Sequence, residues 1–274
     1  MEGHQGRVLQ VLFSPDGQQV ATSGVDGTAR LWDLAGNQLA VMEGHQGRVW
    51  QVLFSPDGQQ VATRGEDGTA RLWDLAGNQL AVMEGHQGPV YEVLFSPDGQ
   101  QVATSGSDGT ARLWDLAGNQ LAVMEGHQGR VLQVLFSPDG QQVATRGEDG
   151  TARLWDLAGN QLAVMEGHQG PVEQVLFSPD GQQVATRGVD GTARLWDLRG
   201  QQIAQYEAER MAINPDWTRI AAVQQPDRLG ENAVVKLWRI DNLDGLLARA
   251  CTYLRPYLLQ SDSVTDDDRE MCNL

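Results

Sequence analysis

Short apolar stretches separated by turn residues run along the chain from its first residues. The stretch VLQVLFS (8–14) precedes the turn PDG (15–17), QQVATSG precedes DG (26–27), TARLWDL precedes AGN (35–37), and QLAVME follows. Pro15 presets the backbone angle of the first turn, and Gly17 tolerates a positive φ there. Four short strands joined by such turns, here labelled a to d, predict an antiparallel meander.

This unit repeats with a fixed period. The segment HQG starts at His4, His45, His86, His127 and His168, which are 41 residues apart. One four-stranded sheet of this kind cannot bury both of its faces, whereas sheets stacked around an axis cover one another. We therefore predict an all-β fold, a β-propeller of four-stranded antiparallel blades with five full blades.

Four short motifs recur in phase over residues 3 to about 200: GH near the start of each unit, FSPDG, DGT and a terminal LWD. In these motifs the chain resembles the WD40 repeat family. The resemblance implies a propeller with a protein-binding face. Copies this similar are compatible with recent duplication and with deliberate design.

The resemblance also implies a buried hydrogen-bonded set of histidine, threonine, aspartate and tryptophan in each unit. The sets are His4, Thr22, Asp26 and Trp32; His45, Thr63, Asp67 and Trp73; His86, Thr104, Asp108 and Trp114; His127, Thr145, Asp149 and Trp155; and His168, Thr186, Asp190 and Trp196. The chemistry is sensible by itself, because a buried indole N–H needs an acceptor and a carboxylate can fix the imidazole tautomer.

Threonine, histidine and aspartate together also invite a catalytic interpretation, as nucleophile, base and orienting acid. Five copies of a hydrolytic triad and a tryptophan donor on each hydroxyl favour a structural role instead. Successive histidines lie on different blades, too far apart to share one zinc ion. We therefore expect no enzyme activity, no bound metal and no cofactor.

The pattern decays after Leu198. The segment INPDW (213–217) corresponds to FSPDG and Trp238 is retained, but Ala222 replaces the threonine and Arg239 the aspartate of the LWD motif. We interpret this unit as a degenerate sixth blade with three strands, so that the propeller array spans 1–241. Terminal repeats are often atypical because they cap an array.

The last segment, 242–274, switches to helical spacing. Its apolar stripe consists of Leu243, Leu246, Leu247, Ala250, Leu254, Tyr257 and Leu258. This pattern predicts a short helical C-terminal tail, packed on the propeller in preference to binding a partner. A degenerate blade followed by such a tail resembles the C-terminal ends of WD40 arrays in bacterial, especially cyanobacterial, multidomain signalling proteins.

Closure of the array is the open question. Only Met1 and Glu2 match the end of a QLAVME strand, so the N-terminal strand that usually completes the last blade of WD40 propellers is nearly missing. An open array exposes sheet edges and an unburied blade face, which proteins generally avoid. We therefore expect a homo-oligomer, most simply a dimer through open blade ends, in preference to a closed six-bladed monomer.

The near-identical copies allow an internal comparison. In the first four units only the columns of Arg7, Leu9, Gln10, Ser23 and Val25 differ. In a meander the d–a and b–c loops lie at the same end of the sheet, so these columns cluster on one rim. The candidate rim residues are Arg7, Leu9, Val25, Arg48, Trp50, Arg64, Glu66, Pro89, Tyr91, Ser107, Arg130, Leu132, Arg146, Glu148, Glu173 and Arg187.

Arginine and aromatic residues are common where proteins bind one another. We therefore interpret the chain as a non-catalytic scaffold that binds a protein or peptide on this rim. Blade packing could instead simply leave these positions unconstrained. The alternative function is a purely structural or self-assembling repeat array, possibly engineered, without an external ligand. A propeller enzyme or lectin is disfavoured, because most acidic residues recur with the repeat.

The charge of the chain limits the kinds of partner it can bind, and its cysteine content indicates its redox environment. The chain carries 20 basic and 36 acidic residues, a net charge of -16, which disfavours nucleic acid and anionic membranes. The N-terminal sequence lacks the features of a signal peptide, and both cysteines, Cys251 and Cys272, lie in the tail. We expect a cytoplasmic protein with reduced thiols.

Overall fold

Five sheets of four antiparallel strands follow one another along the chain. The computed structural model describes residues 1–224 and 234–240, in two compact units, Met1–Arg210 and Met211–Leu274. The first sheet, blade 1, contains β1 (Val8–Phe13), β2 (Gln19–Gly24), β3 (Thr28–Asp33) and β4 (Gln38–Glu43), hydrogen-bonded in chain order. The helical tail predicted at 242–274 lies outside the described residues.

The remaining blades of the first unit have the same order. Blade 2 contains β5 (Val49–Phe54), β6 (Gln60–Gly65), β7 (Ala70–Asp74) and β8 (Gln79–Met83); blade 3 β9 (Val90–Phe95), β10 (Gln101–Gly106), β11 (Thr110–Asp115) and β12 (Gln120–Glu125); blade 4 β13 (Val131–Phe136), β14 (Gln142–Gly147), β15 (Ala152–Asp156) and β16 (Gln161–Met165); blade 5 β17 (Val172–Phe177), β18 (Gln183–Gly188), β19 (Thr192–Asp197) and β20 (Gln202–Glu207).

A shorter sheet follows, with β21 (Arg210–Ile213), β22 (Arg219–Gln224) and β23 (Val234–Arg239) in chain order. Its register pairs Arg219 with Arg239, as Gln19 pairs with Asp33 in blade 1. The degenerate sixth unit therefore keeps the hairpin of strands b and c. The predicted fold class, five full antiparallel blades and a reduced sixth, is confirmed.

The core lies between successive blades. Ala21, Leu31 and Met42 of blade 1 pack against Val52 and Trp73 of blade 2 in one buried cluster. We call the side of a blade that carries Ala21, Leu31 and their equivalents its far face, and the side that carries Val52, Phe54 and their equivalents its near face. The same contact of far face on near face recurs from blade 2 to blade 5. Each blade is thus stabilised mainly by its neighbours.

The near face of blade 1 lacks this cover. Val11 and Phe13 are 63% and 65% exposed, whereas their equivalents Val52 and Phe54 in blade 2 are 0% and 8% exposed. Leu34 is exposed as well, while its equivalent Leu75 packs against the cluster between blades 1 and 2. Because the residues are identical, position in the array alone accounts for the difference. Among the sheets of the first unit, none covers the near face of blade 1.

Candidate interaction surface

The variable columns meet at one edge of every blade. The main-chain N–H of Val25 donates to the carbonyl of Arg7, and that of Glu66 donates to the carbonyl of Arg48. These bonds join the b–c loop of a blade to its own d–a loop through variable residues. The b–c turn also approaches the next blade: Gly68 has φ of 78°, and a side chain there would bring its Cβ to 2.8 Å from the carbonyl oxygen of Gly88. The main chain of the rim loops is therefore held in the same way in these blades, while the side chains differ from blade to blade.

The column of Leu9 occupies a β-bulge. In blade 1 Val8 pairs with Gly24 and Gln10 with Ser23, which leaves Leu9 as the extra residue of strand a. The same register shift leaves Trp50, Tyr91, Leu132 and Glu173 unpaired in blades 2 to 5. A bulge re-aims the side chain at the point where it occurs. The most chemically varied column of the rim is thus presented by a repeated backbone irregularity.

Blade 2 presents an aromatic and charged group on this rim. The Arg48 guanidinium lies 5.4 Å from the centre of the Trp50 ring, within the range of a cation–π contact. Arg48 also lies 3.9 Å from the carboxylate of Glu66, and both charged side chains are about half exposed. In blade 4, Arg130 and Glu148 form the equivalent pair at 3.4 Å. Exposed pairs of this kind are weak and can exchange for a partner's charges.

Blade 1 differs because Val25 stands where blade 2 has Glu66. Arg7 is exposed, and no carboxylate pairs with it among the described residues. Pro89 and Pro171 replace this arginine in blades 3 and 5. The rim therefore carries free or loosely paired arginines on blades 1, 2 and 4, with Ser107 and Val189 opposite the prolines of blades 3 and 5.

Three of the candidate rim arginines lie deeper. Arg64 donates from Nε to the side-chain oxygen of Gln51 at 2.9 Å and from Nη1 to the carbonyl of Val90, in blade 3, at 2.8 Å. Burial lowers its pKa to about 10, and the guanidinium remains charged. Arg64 is thus a joint between blades 2 and 3 rather than a free donor.

The other two deep arginines make similar joints. Arg146 donates to the side chain of Gln133 and to the carbonyl of Val172 in blade 5. Arg187 donates to the carboxylate of Glu173 and to the carbonyl of Glu209. In blades 1 and 3 the same column holds Ser23 and Ser105, which are fully buried. The arginines in this column therefore already make hydrogen bonds within the chain, without a bound partner.

The column of Gln10 ties the inner strands together. The side-chain oxygen of Gln10 accepts a hydrogen bond from the N–H of Val52 in the next blade at 2.9 Å, and Gln51 accepts one from Val93 at 3.2 Å. In blade 3 the glutamine is replaced by Glu92, whose carboxylate accepts from the N–H of Val134 at 3.1 Å. Burial raises the pKa of Glu92 to about 6. Among these three hydrogen bonds between successive blades, Glu92 supplies the one carboxylate acceptor, and the other two acceptors are amides.

Inside each blade the histidine, threonine, aspartate and tryptophan are linked in series. In blade 2 the Trp73 indole donates to the Thr63 hydroxyl at 2.8 Å, and Nε2 of His45 lies 2.8 Å from the same hydroxyl. Nδ1 of His45 lies 3.0 Å from the Asp67 carboxylate. Because an indole can only donate, the threonine donates to His45, and the imidazole N–H donates to Asp67.

The other four full blades repeat these bonds within about 0.1 Å at the threonine hydroxyl. Burial lowers the pKa of His45, His86, His127 and His168. Burial raises the pKa of Asp108, but the N–H of Gln87, the charge of His86 and its hydrogen bond outweigh it and bring the pKa to about 2. A threonine hydroxyl engaged on both sides is a structural link.

Metal-binding clusters and membrane-spanning helices are absent from the part of the chain that the structure describes. Within residues 1–224 and 234–240, no three or more histidine, cysteine, aspartate or glutamate side chains are grouped so as to hold a metal ion. In the same residues no helix has the length and apolarity needed to cross a bilayer. In the last sheet, buried Ala222 occupies the threonine position, so the serial link cannot form there.

Repeated four-stranded blades with this internal hydrogen-bonded set define a WD40-type β-propeller. A family model described as "IFT122 first beta-propeller" matches residues 1–156, and the model "WD domain, G-beta repeat" matches residues 159–197. The chain belongs to the WD40 repeat β-propeller family. Proteins of this family are generally non-enzymatic scaffolds that bind protein partners.

Two similar proteins have been characterised by sequence or structure. The WD repeat-containing protein slr1409 of Synechocystis sp. is 59% identical over 32 residues, which are 12% of this chain and 10% of that protein. The match thus spans about a tenth of that relative's length. The crystal structure of the computationally designed Ika8 protein superposes with a TM-score of 0.71 at 29% identity, over 87% of this chain and 73% of Ika8.

Proposed function

We propose that the chain is a non-catalytic scaffold that binds a protein or peptide on the rim formed by the d–a and b–c loops. The observation that carries the proposal is that sequence variation among the first four blades is confined to this edge. Trp50 and Tyr91 stand at the bulge, and Arg48 lies 5.4 Å from the Trp50 ring. Arg7 and Arg130 are exposed in the same column of the rim on blades 1 and 4. Aromatic anchors flanked by forked donors suit a peptide with acidic or polar groups.

The opposite edge of the blades supports the proposal by contrast. Its a–b turn is held by the Ser14 hydroxyl, which donates to the Asp16 carboxylate at 2.6 Å, and the same bond recurs in blades 2 to 5. Its c–d turn is held by Asp33, which accepts from the main chain and side chain of Asn37. These turns are constrained by their own hydrogen bonds. The d–a and b–c loops are also held by main-chain hydrogen bonds, yet their side chains vary. The needs of loop folding therefore do not explain why one edge varies and the other does not.

The test uses a displayed library of random peptides selected on the intact chain. We expect enriched peptides to lose at least about tenfold in affinity for the double variant Arg48→Pro, Trp50→Leu. Both replacements are residues that the chain itself carries in these columns, at Pro89 and at Leu9, so the blade should still fold. Gln59→Ala, on an exposed position of the opposite edge, is the matched control and should bind normally.

Two outcomes contradict the proposal. Enriched peptides that bind the rim variant and the parent chain equally place the binding site elsewhere. No enrichment at all, with a correctly folded chain, favours the alternative function of a self-assembling array without an external ligand. The chain's net charge of -16 makes a nucleic-acid partner unfavourable, and a polyanion therefore serves as a negative control.

We propose in addition that copies of the chain associate through open blade faces. The exposed near face of blade 1 supports this, because Val8, Val11, Phe13 and Leu34 are exposed, whereas their equivalents in blade 2 lie in the buried cluster between blades 1 and 2 or pack against it. Exposed patches of this kind mark association sites. Light scattering on a size-exclusion column gives the absolute mass, and a single-chain mass at all concentrations contradicts association.

A further inference from the structure

We propose that the contact between blades 3 and 4 is a binding site for a guanidinium group, where the Glu92 carboxylate and the Val131 carbonyl accept hydrogen bonds from an arginine of the peptide partner. This inference rests on the function proposed above. It adds one cationic side chain to the acidic or polar groups of that peptide. The residues that carry it lie on strands a and b at the rim.

Blades 2 and 4 show how the chain holds a guanidinium group at this place. Arg64 lies opposite Gln51 in the strand pairing, donates to its side-chain oxygen and reaches the carbonyl of Val90 in blade 3. Arg146 makes the two equivalent bonds at 2.9 Å and 2.8 Å in the contact between blades 4 and 5. Both arginines are half-buried, so solvent reaches this position. Each contact uses a side-chain oxygen of one blade and a carbonyl oxygen of the next.

The contact between blades 3 and 4 has both acceptors but no arginine of its own. Ser105 takes the place of the arginine and lies opposite Glu92, so the two side chains share one face of the sheet. Val131 begins strand a of blade 4, as Val90 begins strand a of blade 3. The Ser105 hydroxyl is fully buried and makes no hydrogen bond among the described residues. Buried hydroxyls without a partner are uncommon, and this one lies beside a carboxylate.

Glu92 brings a negative charge to this contact. Its equivalents in blades 2 and 4 are glutamines, which accept from the arginine of the same blade. Glu92 is half-buried, and within the described part of the chain only its Oε2 accepts a hydrogen bond, from a main-chain N–H. Burial raises the pKa of Glu92 to about 6, and the charges of Arg146 and Arg64 only partly oppose this shift. A guanidinium group in contact with the carboxylate would offset the penalty of burial.

Arginines in the neighbouring blades do not exclude a further guanidinium group. Arg146 and Arg187 already occupy the same column in consecutive blades, and their charges interact. A cation bound at Glu92 would likewise lie one blade away from Arg64 and from Arg146, and it would also contact a carboxylate. The net charge of -16 attracts cationic ligands to the chain as a whole. Two acceptors side by side favour the forked arginine over lysine.

Blade 1 supplies an internal comparison. Ser23 is buried and unpartnered like Ser105, but it lies opposite Gln10, whose side-chain oxygen belongs to a neutral amide. A neutral acceptor binds a cation less strongly than a carboxylate does. Binding should therefore depend on Glu92, and the serine alone should not create a site in blade 1.

The first probe is N-acetyl-arginine methylamide, titrated against the full chain with isotopically labelled glutamate carboxyl groups and followed by nuclear magnetic resonance. We expect the Glu92 signal, identified by its absence from Glu92→Gln, to shift saturably. N-acetyl-citrulline methylamide has a similar shape without the charge and should bind at least about tenfold more weakly.

Two matched variants test the position of the site. Ser105→Arg places the chain's own guanidinium group beside Glu92, as Arg64 lies beside Gln51, and should abolish the response to the probe. Ser23→Arg makes the same change in blade 1 and should leave the response unchanged. The pKa of Glu92 checks the geometry of Ser105→Arg, because a contacting guanidinium group should lower it from about 6. An unchanged pKa contradicts the proposed site.

Peptides selected on the parent chain connect the site to the proposed function. We expect enriched peptides to share an arginine whose replacement by citrulline weakens binding to the parent at least about tenfold. The same replacement should change binding to Ser105→Arg by less than about twofold, because the variant's own guanidinium group already occupies the site.

The outcomes separate this inference from the proposed function. A Glu92 signal that ignores the arginine probe, or responds equally to citrulline, overturns the guanidinium site whatever the peptides do. Enriched peptides without a shared arginine keep the rim as a binding surface and overturn this site as part of it. A probe that binds while no peptide is enriched overturns the proposed function, and with it the assignment of the ligand to a peptide.

Discussion

The indole Nε1 of Trp73 donates a hydrogen bond of 2.8 Å to the hydroxyl of Thr63. Because an indole can only donate, this bond fixes which group donates and which accepts in the series from Trp73 through Thr63 and His45 to Asp67. Thr63→Val keeps the shape of the side chain but removes the hydroxyl. The variant leaves a buried indole N–H without an acceptor and Nε2 of His45 without a donor. We expect the free energy of unfolding, measured by urea denaturation, to fall by about 2–4 kcal/mol.

Thr63→Ser is the matched control, because it keeps the hydroxyl and removes only a methyl group. Its free energy of unfolding should lie within about 1.5 kcal/mol of the parent's. Equal stability of the valine and serine variants would show that the set contributes no net hydrogen-bond energy. The last sheet illustrates the alternative solution, since Ala222 occupies this position and is buried without a hydroxyl.

Stability should fall in mild acid because of the buried histidines. Burial lowers the pKa of His45, His86, His127 and His168 below that of a histidine in the unfolded chain. The unfolded state therefore binds protons first. The contribution of these four groups is fully present above the unfolded pKa of about 6.5 and is lost as pH falls below it.

The measurement is the urea midpoint between about pH 7.5 and 5.5 at constant ionic strength. We expect a progressive decrease that starts near the unfolded histidine pKa. A second loss should follow below about pH 4, where Asp108 and Asp190, whose folded pKa values are about 2, lose their advantage over unfolded carboxyls. A midpoint that stays constant or rises from pH 7.5 to 5.5 contradicts the histidine argument.

Glu92 should act in the opposite direction. Burial raises its folded pKa to about 6 from 4.5, so its ionised form opposes folding above pH 6, and this opposition fades as pH falls toward 4.5. Glu92→Gln introduces the residue that Gln51 and Gln133 already supply in this column. Its amide oxygen can accept from Val134 as the carboxylate does.

At pH 8 we expect the glutamine variant to unfold at a higher urea concentration than the parent, with a free energy of unfolding larger by about 1–2 kcal/mol. This difference should vanish near pH 4.5. The parent's acid-induced decrease should therefore be shallower than the variant's. If the variant is less stable than the parent at pH 8, attraction between Glu92 and the charges of Arg64 and Arg146 outweighs the penalty of burial.

Phe54→Ala and Phe13→Ala make the same change in the same local sequence, and their effects should differ widely. Phe54 is buried between two blades, so its removal should destabilise the chain by about 3–5 kcal/mol. Phe13 lies on the uncovered near face, so its removal should change stability by less than about 1 kcal/mol in a dilute, unassociated sample. Similar losses for both variants would show that the near face of blade 1 is covered in solution.

The repeat made most of the fold predictable. A 41-residue period with three turn signals in each unit leaves few alternatives to stacked four-stranded sheets. The set of histidine, threonine, aspartate and tryptophan is implied by the resemblance to WD40 repeats, and its chemistry is sensible because a buried indole N–H needs an acceptor. The exposure of Val11 and Phe13 was not predictable residue by residue, because identical repeats differ only in which neighbour lies beside them. The repeat predicts the structure of each blade, whereas the burial of side chains in the terminal blades depends on which surface covers them.

The rim was predictable as an edge but not in its detail. The run VLQVLF shows no sign of a bulge, so the extra residue at Leu9 and Trp50 emerges only from the pairing with the adjacent strand. Arg64 belongs to the predicted rim because arginine is common where proteins bind one another. Its true acceptor, the carbonyl of Val90, belongs to the next blade and has no signature in side-chain sequence.

The variant Arg64→Ser tests whether Arg64 stabilises the contact between blades 2 and 3 or binds a partner. Serine is what the chain carries at this column in Ser23 and Ser105, so the strand tolerates it. Loss of the guanidinium removes the hydrogen bonds to Gln51 and Val90 that join blades 2 and 3. Because hydrogen bonds to charged groups contribute about 1.5–3 kcal/mol, we expect a measurable loss of stability, on the order of 2 kcal/mol.

Peptide binding should respond differently. Since Nε and Nη1 of Arg64 are already engaged within the chain, peptides selected on the rim should bind Arg64→Ser within about threefold of the parent. Arg48→Pro, which removes an exposed guanidinium from the same blade, should weaken binding without a comparable loss of stability. If Arg64→Ser instead abolishes binding at full stability, the guanidinium leaves Val90 for the partner, and the buried arginine column is itself part of the binding surface.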